Sequence, residues 1–182
     1  MEKNKNQKYT LDWLVNQSDV EYLFFWGHQP SRDGSIIKTC MSQWWPAQFT
    51  EDGILYRTAE HYMMIQKAKL FGEEEILVKM LQKESPKEVK DLGRQVRNFD
   101  PELWDKHKFR IVKQANYLKF SQNEALKLFL LQTTNKVLVE ASPVDPVWGI
   151  GLAEDSPNAF NPREWRGENL LGFALMEVRD EV

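Results

Sequence analysis

A single cysteine, Cys40, stands in 182 residues, so the chain has no internal disulfide and no multi-cysteine zinc site. That usage fits a reducing, cytoplasmic setting. His28, His61 and His107 fall at no metal-ligand spacing, and HExxH is absent, so no metal and no cofactor are expected. His61 reads as a helix-surface residue. No GxSxG nucleophile elbow occurs. Gly149 and Gly151 form a lone GxG without the further glycine and strand-to-helix context of a dinucleotide loop. Internal repeats and low-complexity tracts are also lacking. Met1 to Thr10 is polar and lysine-rich with no apolar run behind it, which excludes a signal peptide or membrane anchor there and predicts a flexible tail over residues 1–8. A net charge of −3 gives no overall basic footprint for nucleic acid. The sequence sets no oligomeric state.

What is present is one domain's worth of chain, residues 9–182, long enough to bury a sizeable core. Ten Phe and seven Trp supply aromatic surface for that core or for a ligand cleft. The pattern predicts an α+β fold, predominantly helical: one compact domain with a few short strands near the N-terminus and one after the fifth helix. Glu21 to Trp26 reads as a strand, Gly27 to Gly34 as a loop, and Ile36 to Phe49 as extended. Glu51-Asp52-Gly53 is a turn into a strand over Ile54 to Arg57. Helices are expected from Thr58 to about Phe71, from Glu73 to about Gln82, after the capping box Ser85–Glu88, from Asp100 to about Phe120, and after a second capping box at Ser121–Glu124. Lys136 to Glu140 is a strand, Ser142 to Arg166 a long loop, and Glu168 to Arg179 the closing helix.

Thr58-Ala59-Glu60-His61-Tyr62-Met63-Met64-Ile65-Gln66-Lys67 is the most informative stretch. Thr58 is a good N-cap, because its hydroxyl accepts a bond from an orphaned backbone N–H. Glu60 and Lys67 lie seven residues apart, on nearly the same face and roughly 10 Å apart along the axis. Helical side chains lean toward the N-terminus, so Lys67 reaches back toward Glu60. A carboxylate and an amine beside Met63 and Met64 suit an acid/base and nucleophile pair. They equally suit a solvated surface pair on an amphipathic helix, and both readings stay open.

The long loop is unusual inside a compact domain, and such segments are often functional. Asp145 can orient a sugar hydroxyl or a water, Trp148 can stack on a flat base, and Gly149 and Gly151 allow close backbone approach. The alternative is a rigid turn that packs one tryptophan. Arg94 and Arg97 are candidates to hold a phosphate, since Arg makes bidentate charge-assisted bonds, or they are a solvated helix end. Lys38 and Arg57 flank the aromatic strands and are further phosphate candidates.

The run Tyr56 to Tyr62 with Gln66-Lys67-Ala68 resembles the signature of the NADAR family, the group that includes the YbiA-like N-glycosidases. Further blocks agree in order: Gly93-Arg94, Trp104, Val139-Glu140-Ala141-Ser142 through Asp145, Trp148-Gly149 with Gly151, and Gly167-Glu168-Asn169-Leu170-Leu171-Gly172. Phe24 to Trp26 resembles the family's strand-and-loop entry. The resemblance spans about Tyr22 to Arg179, and His28 to Trp45 departs from it as an insert-like stretch.

The resemblance implies cleavage of an N-glycosidic bond at ribose C1. The expected substrates are early riboflavin-pathway ribosylaminopyrimidine phosphates, with release of ribose 5-phosphate as damage control. Two alternatives remain: removal of ADP-ribose from guanine in DNA, the only reading with a nucleic-acid partner, and a non-catalytic ADP-ribose or nucleotide binding module. In the enzymatic readings Glu60 is the acid–base, Lys67 a Schiff-base nucleophile or a mere positive charge, and Asp145 holds the ribose hydroxyls. Lys67 must then be partly neutral, which requires desolvation or a nearby cation.

Overall fold

A computed structural model describes residues 7–182. The chain runs α1 (Leu11–Leu14), β1 (Tyr22–Phe25), a 3-10 turn (Lys38–Met41), β2 (Phe49–Glu51), β3 (Ile54–Tyr56), α2 (Ala59–Leu70), α3 (Glu74–Leu81), α4 (Pro86–Gly93), α5 (Pro101–Ser121), α6 (Glu124–Gln132), β4 (Val137–Glu140), a second 3-10 turn (Pro162–Glu164) and α7 (Leu170–Glu181). The expected α+β, mostly helical architecture is present. Residues 1–6 of the expected tail lie outside the described residues. Lys8 is tied down: its backbone N–H donates to Glu177 at 2.8 Å and its amine to Asp180.

The strands form two separate pairs. β2 and β3 are an antiparallel hairpin, Phe49 opposite Tyr56, turning at Asp52-Gly53, where both residues have positive φ. β1 and β4 run parallel, with Tyr22 opposite Val137 and Phe25 opposite Glu140. Two parallel strands need a crossover, and here everything from the 3-10 turn to α6 lies between them in sequence. All of β4 up to Val139 is buried, as a parallel strand covered on its faces should be.

α7 lies directly on β4. A Cβ on Gly172 would sit 2.1 Å from the Leu138 carbonyl oxygen, so only glycine permits that approach. Asn169, in the left-handed region at φ 54, caps the open edge: its Oδ1 accepts from the Glu140 N–H at 3.0 Å and its Nδ2 donates to the Leu138 carbonyl at 2.9 Å. The ending Gly167 to Gly172 thus has a backbone reason.

α2 is buried nearly all round, from Ala59 through Ile65 and at Ala68. It packs on α3, α4 and α5. A helix buried on most of its faces, polar residues included, belongs in a core, so the amphipathic surface helix is set aside. Two local expectations also fail. Ile36 to Phe49 is not extended throughout: Lys38–Met41 coils because α5 sends Lys119 into it, donating to the carbonyls of Cys40 at 2.6 Å and Ser42 at 2.9 Å. The capping box at Ser121 does not form, because α5 continues through Ser121. Asn123 takes the N-cap position of α6 and spends its amide on the carbonyls of Gln48 and Lys119.

Candidate active site

The carboxyl ends of β1 and β4 and the first turn of α2 meet at one place. Open parallel strands commonly present ligand crevices at that end. β4 ends on Glu140, and the loop behind it brings Asp145. β1 is followed by Trp26, Gly27 and His28. Thr58 caps α2 as expected, accepting from the His61 N–H at 3.3 Å, and the Glu60 N–H donates to the Gln43 carbonyl at 3.0 Å. That bond ties the helix start to the segment carrying Trp44.

Glu60 is 2% exposed, and its Oε1 has no hydrogen-bond partner. Burial pushes its pKa up to about 7, against the pull of the Lys90 ammonium, the Trp44 indole and Arg94; the Asp145 carboxylate adds to the rise. Glu140 behaves alike. Its Oε2 is buried and unpartnered, and burial, then the Asp145 charge, raise its pKa to about 8, with Lys90 opposing and Glu60 adding to the rise. Three carboxyls from three parts of the chain therefore share one field with the amine of Lys90. That amine lies 5.6 Å from the Trp44 ring centre, and the Trp44 ring is 5.4 Å from that of His28.

Lys67 sits on the other side of Gly93. Its amine donates to the Gly93 carbonyl at 2.9 Å and lies over the rings of Phe99 (4.4 Å) and Trp104 (5.7 Å). Gly93 itself presses on Met64: a Cβ there would meet the Met64 sulfur at 2.2 Å. The C-terminal end of α4 thus packs on α2 at Met64 and takes the Lys67 amine. Lys67 makes no salt bridge among the described residues, and burial lowers its pKa. The mutual charge stabilisation that would have kept both groups ionised is absent.

The remaining candidates divide. Asp145 serves the turn with one oxygen: Oδ1 accepts from the N–H groups of Val147 at 2.9 Å and Trp148 at 2.8 Å. The carboxylate as a whole is the charge felt by Glu60 and Glu140. Trp148 is half-buried against the core. Gly149 and Gly151 have packing reasons of their own; Cβ atoms there would fall 2.8 Å from the Glu140 carbonyl oxygen and 2.9 Å from Arg166 Cβ. Arg94 pairs with Asp91 at 2.7 Å yet is felt by Glu60. Arg97 is committed to Glu73 through two parallel contacts of 3.0 and 3.1 Å. Lys38 grips both oxygens of Glu154, at 2.8 and 3.1 Å. Arg57 faces Glu84 loosely at 3.5 Å and lines a cleft of about 440 Å³ with Trp44, Thr58 and Pro86.

His61 is not on the surface. It is 3% exposed, with Nδ1 2.8 Å from Thr58 Oγ1 and Nε2 3.2 Å from the Lys83 carbonyl, and burial lowers its pKa. It works as a neutral brace for the start of α2. The Cys40 thiol is pushed up to about 11 by burial, which removes it as a nucleophile. No group of three or more His, Cys, Asp or Glu able to hold a metal stands together among the described residues.

Sequence reasoning passed over Glu140, Trp44 and Lys90. Only Glu140 left a trace: a glutamate closing the apolar run Val137-Leu138-Val139. Trp44 and Lys90 reach the site through the fold of their segments, which no local pattern announces.

A model of the NADAR domain matches residues 24–182. An N-glycosidase of Acanthamoeba polyphaga mimivirus is 45% identical over 166 residues, 88% of this chain and 96% of that protein. The N-glycosidase YbiA of Escherichia coli is 30% identical over 138 residues, 76% of each chain. Its NMR structure superposes with a TM-score of 0.69 at 25% identity, covering 89% of this chain and 86% of that one. A chloroplastic riboflavin biosynthesis protein of Zea mays, PYRR, is 34% identical over 140 residues, 72% of this chain but 20% of that much longer protein.

Proposed function

We propose, from the premise that this chain belongs to the NADAR family, that it is an N-glycosidase and that it acts at ribose C1 of a phosphorylated ribosylaminopyrimidine. Relatives named N-glycosidases, aligned over most of their length and of this chain, support the reaction class. The maize relative's name supports the riboflavin direction of the substrate.

The observation that carries the reading is the buried carboxyl of Glu60, one oxygen of which has no partner, with a pKa near neutrality at the junction of β1, β4 and α2. Such a group holds and releases a proton at physiological pH, which suits general acid–base work. A ribosylamine opens to an imine at C1. The neutral amine of Lys67 adds to C1, the departing nitrogen takes a proton and leaves with the C–N electron pair, and a Schiff base remains. Water then adds to C1, giving up its proton to the acid–base group, and the sugar leaves as Lys67 recovers its amine. Burial of Lys67 and its lack of a carboxylate partner both favour the neutral amine this step needs. The second oxygen of Asp145, free of the turn bonds that engage Oδ1, accepts a ribose hydroxyl in this reading. The phosphate falls to Arg57, which lines the cleft beside Trp44 and Thr58, or to Arg94, whose charge reaches Glu60.

The test is incubation of the purified chain with a ribosylaminopyrimidine 5′-phosphate and, separately, with DNA carrying ADP-ribosylated guanine, followed by product detection. Release of ribose 5-phosphate from the first alone is the expected result. Cleavage of the second alone would move the substrate to DNA. Binding of ADP-ribose without turnover of either would leave a binding module.

A further inference from the structure

We infer that Glu140 is the second acid–base group of this site, holding the proton delivered to the leaving nitrogen while Glu60 takes the proton of the incoming water. This deepens the N-glycosidase reading and rests on it.

Glu140 has no structural use for its carboxyl. Its backbone is fully engaged: the N–H donates to Asn169 Oδ1 at 3.0 Å, and the carbonyl accepts from the Ile150 N–H at 2.9 Å. The side chain contributes nothing to that lattice. Its Oε2 is buried without a partner, although a buried polar atom left unpaired costs about 1–3 kcal/mol. A glutamine or a leucine would serve a purely structural position better. Glu60 Oε1 is in the same condition, and the Glu60 charge is felt by Glu140. Two orphaned carboxyl oxygens facing one charge field are a built proton store rather than a packing accident.

The surroundings divide the two roles. Glu60 lies in the first turn of α2, where the helix dipole favours the anion, and Lys90, Trp44 and Arg94 also favour it. Facing Glu140 are Asp145 from the following loop and Glu60 from α2, both of which disfavour its anion; only Lys90 from α4 opposes them. Its neighbours from β1 and α7, Phe25 and Asn169, carry no charge. Glu140 therefore keeps its proton to higher pH than Glu60. Hydrolysis of an N-glycoside needs one donor and one acceptor, and two carboxyls whose environments push them apart supply both. The balance closes: Lys67 adds at C1 and the Glu140 proton goes to nitrogen as the C1–N bond breaks, water then adds its oxygen at C1 and gives its proton to Glu60 as the C1–Lys67 bond breaks, and the proton returns to Glu140 through the shared site or solvent.

The experiment uses the full chain and the ribosylaminopyrimidine 5′-phosphate, with wild type, Glu140→Gln and Glu140→Asp. Wild type should give a bell-shaped pH profile whose two limbs belong to the coupled pair. Glu140→Gln should lose about 10²-fold or more in kcat and lose the alkaline limb, while Glu140→Asp should restore part of both. An active wild type with Glu140→Gln within about twofold of it and an unchanged profile would overturn the inference. An inactive wild type would instead reject the function reading. Carbon-13 titration of labelled glutamate carboxyls decides the proton sharing in that case. Two coupled transitions in wild type that collapse to one in Glu140→Gln uphold it, and an independent, ordinary Glu140 titration overturns it.

Discussion

Lys119 and Glu60 are both buried ionisable groups, 0% and 2% exposed, and burial moves both toward neutrality, each to about 7. They differ in what their polar atoms touch. The Lys119 amine donates to two backbone carbonyls, of Cys40 and Ser42, and lies 5.1 Å from the Phe120 ring centre. It closes the end of a 3-10 turn and holds in place the segment that leads to Gln43 and Trp44. Glu60 leaves an oxygen unpaired. A buried charge whose bonds are met is a brace, and one whose bonds are unmet is kept for something else. Displaced pKa values alone would have put both groups in the active site. The hydrogen bonds separate them.

The largest expected contrast is in turnover. Glu60→Gln should lower kcat by about 10²- to 10⁴-fold, since an amide cannot relay a proton, with the thermal midpoint unchanged or raised. Lys119→Met should do the reverse: it removes a donor from two carbonyls, leaving that of Cys40 unpaired while Ser42 keeps the Trp45 N–H, and should cost about 1–3 kcal/mol in denaturant unfolding, while the folded fraction keeps its turnover. A Lys119 variant that is fully stable and inactive would break the distinction.

Next comes the phosphate. Arg57→Ala or Arg94→Ala should weaken substrate binding by about 1.5–3 kcal/mol, read in KM, for whichever of them holds it. Lys38→Ala should have little effect, because its partner Glu154 is an exposed surface acid. If neither arginine matters, Lys90, which makes no salt bridge among the described residues but faces both glutamates, becomes the cation to test.

The pH dependence of stability gives the two groups opposite signs. Glu60 has its folded pKa raised from 4.5 to about 7, so between those values the native state holds a proton that the unfolded chain has lost. Stability from this source is present below pH 4.5 and falls as pH rises to about 7, by about 3 kcal/mol at most. Lys119 has its folded pKa lowered from 10.5 to about 7, so the unfolded chain holds the extra proton and stability rises across that interval. Denaturation curves for Glu60→Gln should lose the fall, and those for Lys119→Met should lose the rise. The smallest expected effect is that of EDTA, which should leave turnover unchanged.

Much of this was readable along the chain because it is local. Thr58 caps α2 from the position its hydroxyl dictates, and Pro86 and Pro101 open helices behind Ser85 and Asp100. The loop after β4 showed itself by its length. What stayed hidden depends on contacts distant in sequence. β1 and β4 pair across more than a hundred residues, and only that pairing places Glu140 beside the start of α2. Burial of His61 follows from α3 and α4 closing over α2, against the expectation of a surface ring. The spacing of Glu60 and Lys67 on one helix face was legible, but the Gly93 carbonyl that takes the Lys67 amine was not.

The central claim is that Lys67, without a salt bridge among the described residues and partly desolvated, is the nucleophile at ribose C1. Borohydride added during turnover, followed by peptide mapping of wild type and Lys67→Arg, tests it most directly. A ribosyl adduct on Lys67 and on no other lysine, with Lys67→Arg inactive because a guanidinium stays protonated, is the predicted result. Appreciable turnover by Lys67→Arg with no trapped adduct in wild type would contradict it and leave direct attack by water, with Lys67 as a positive charge alone.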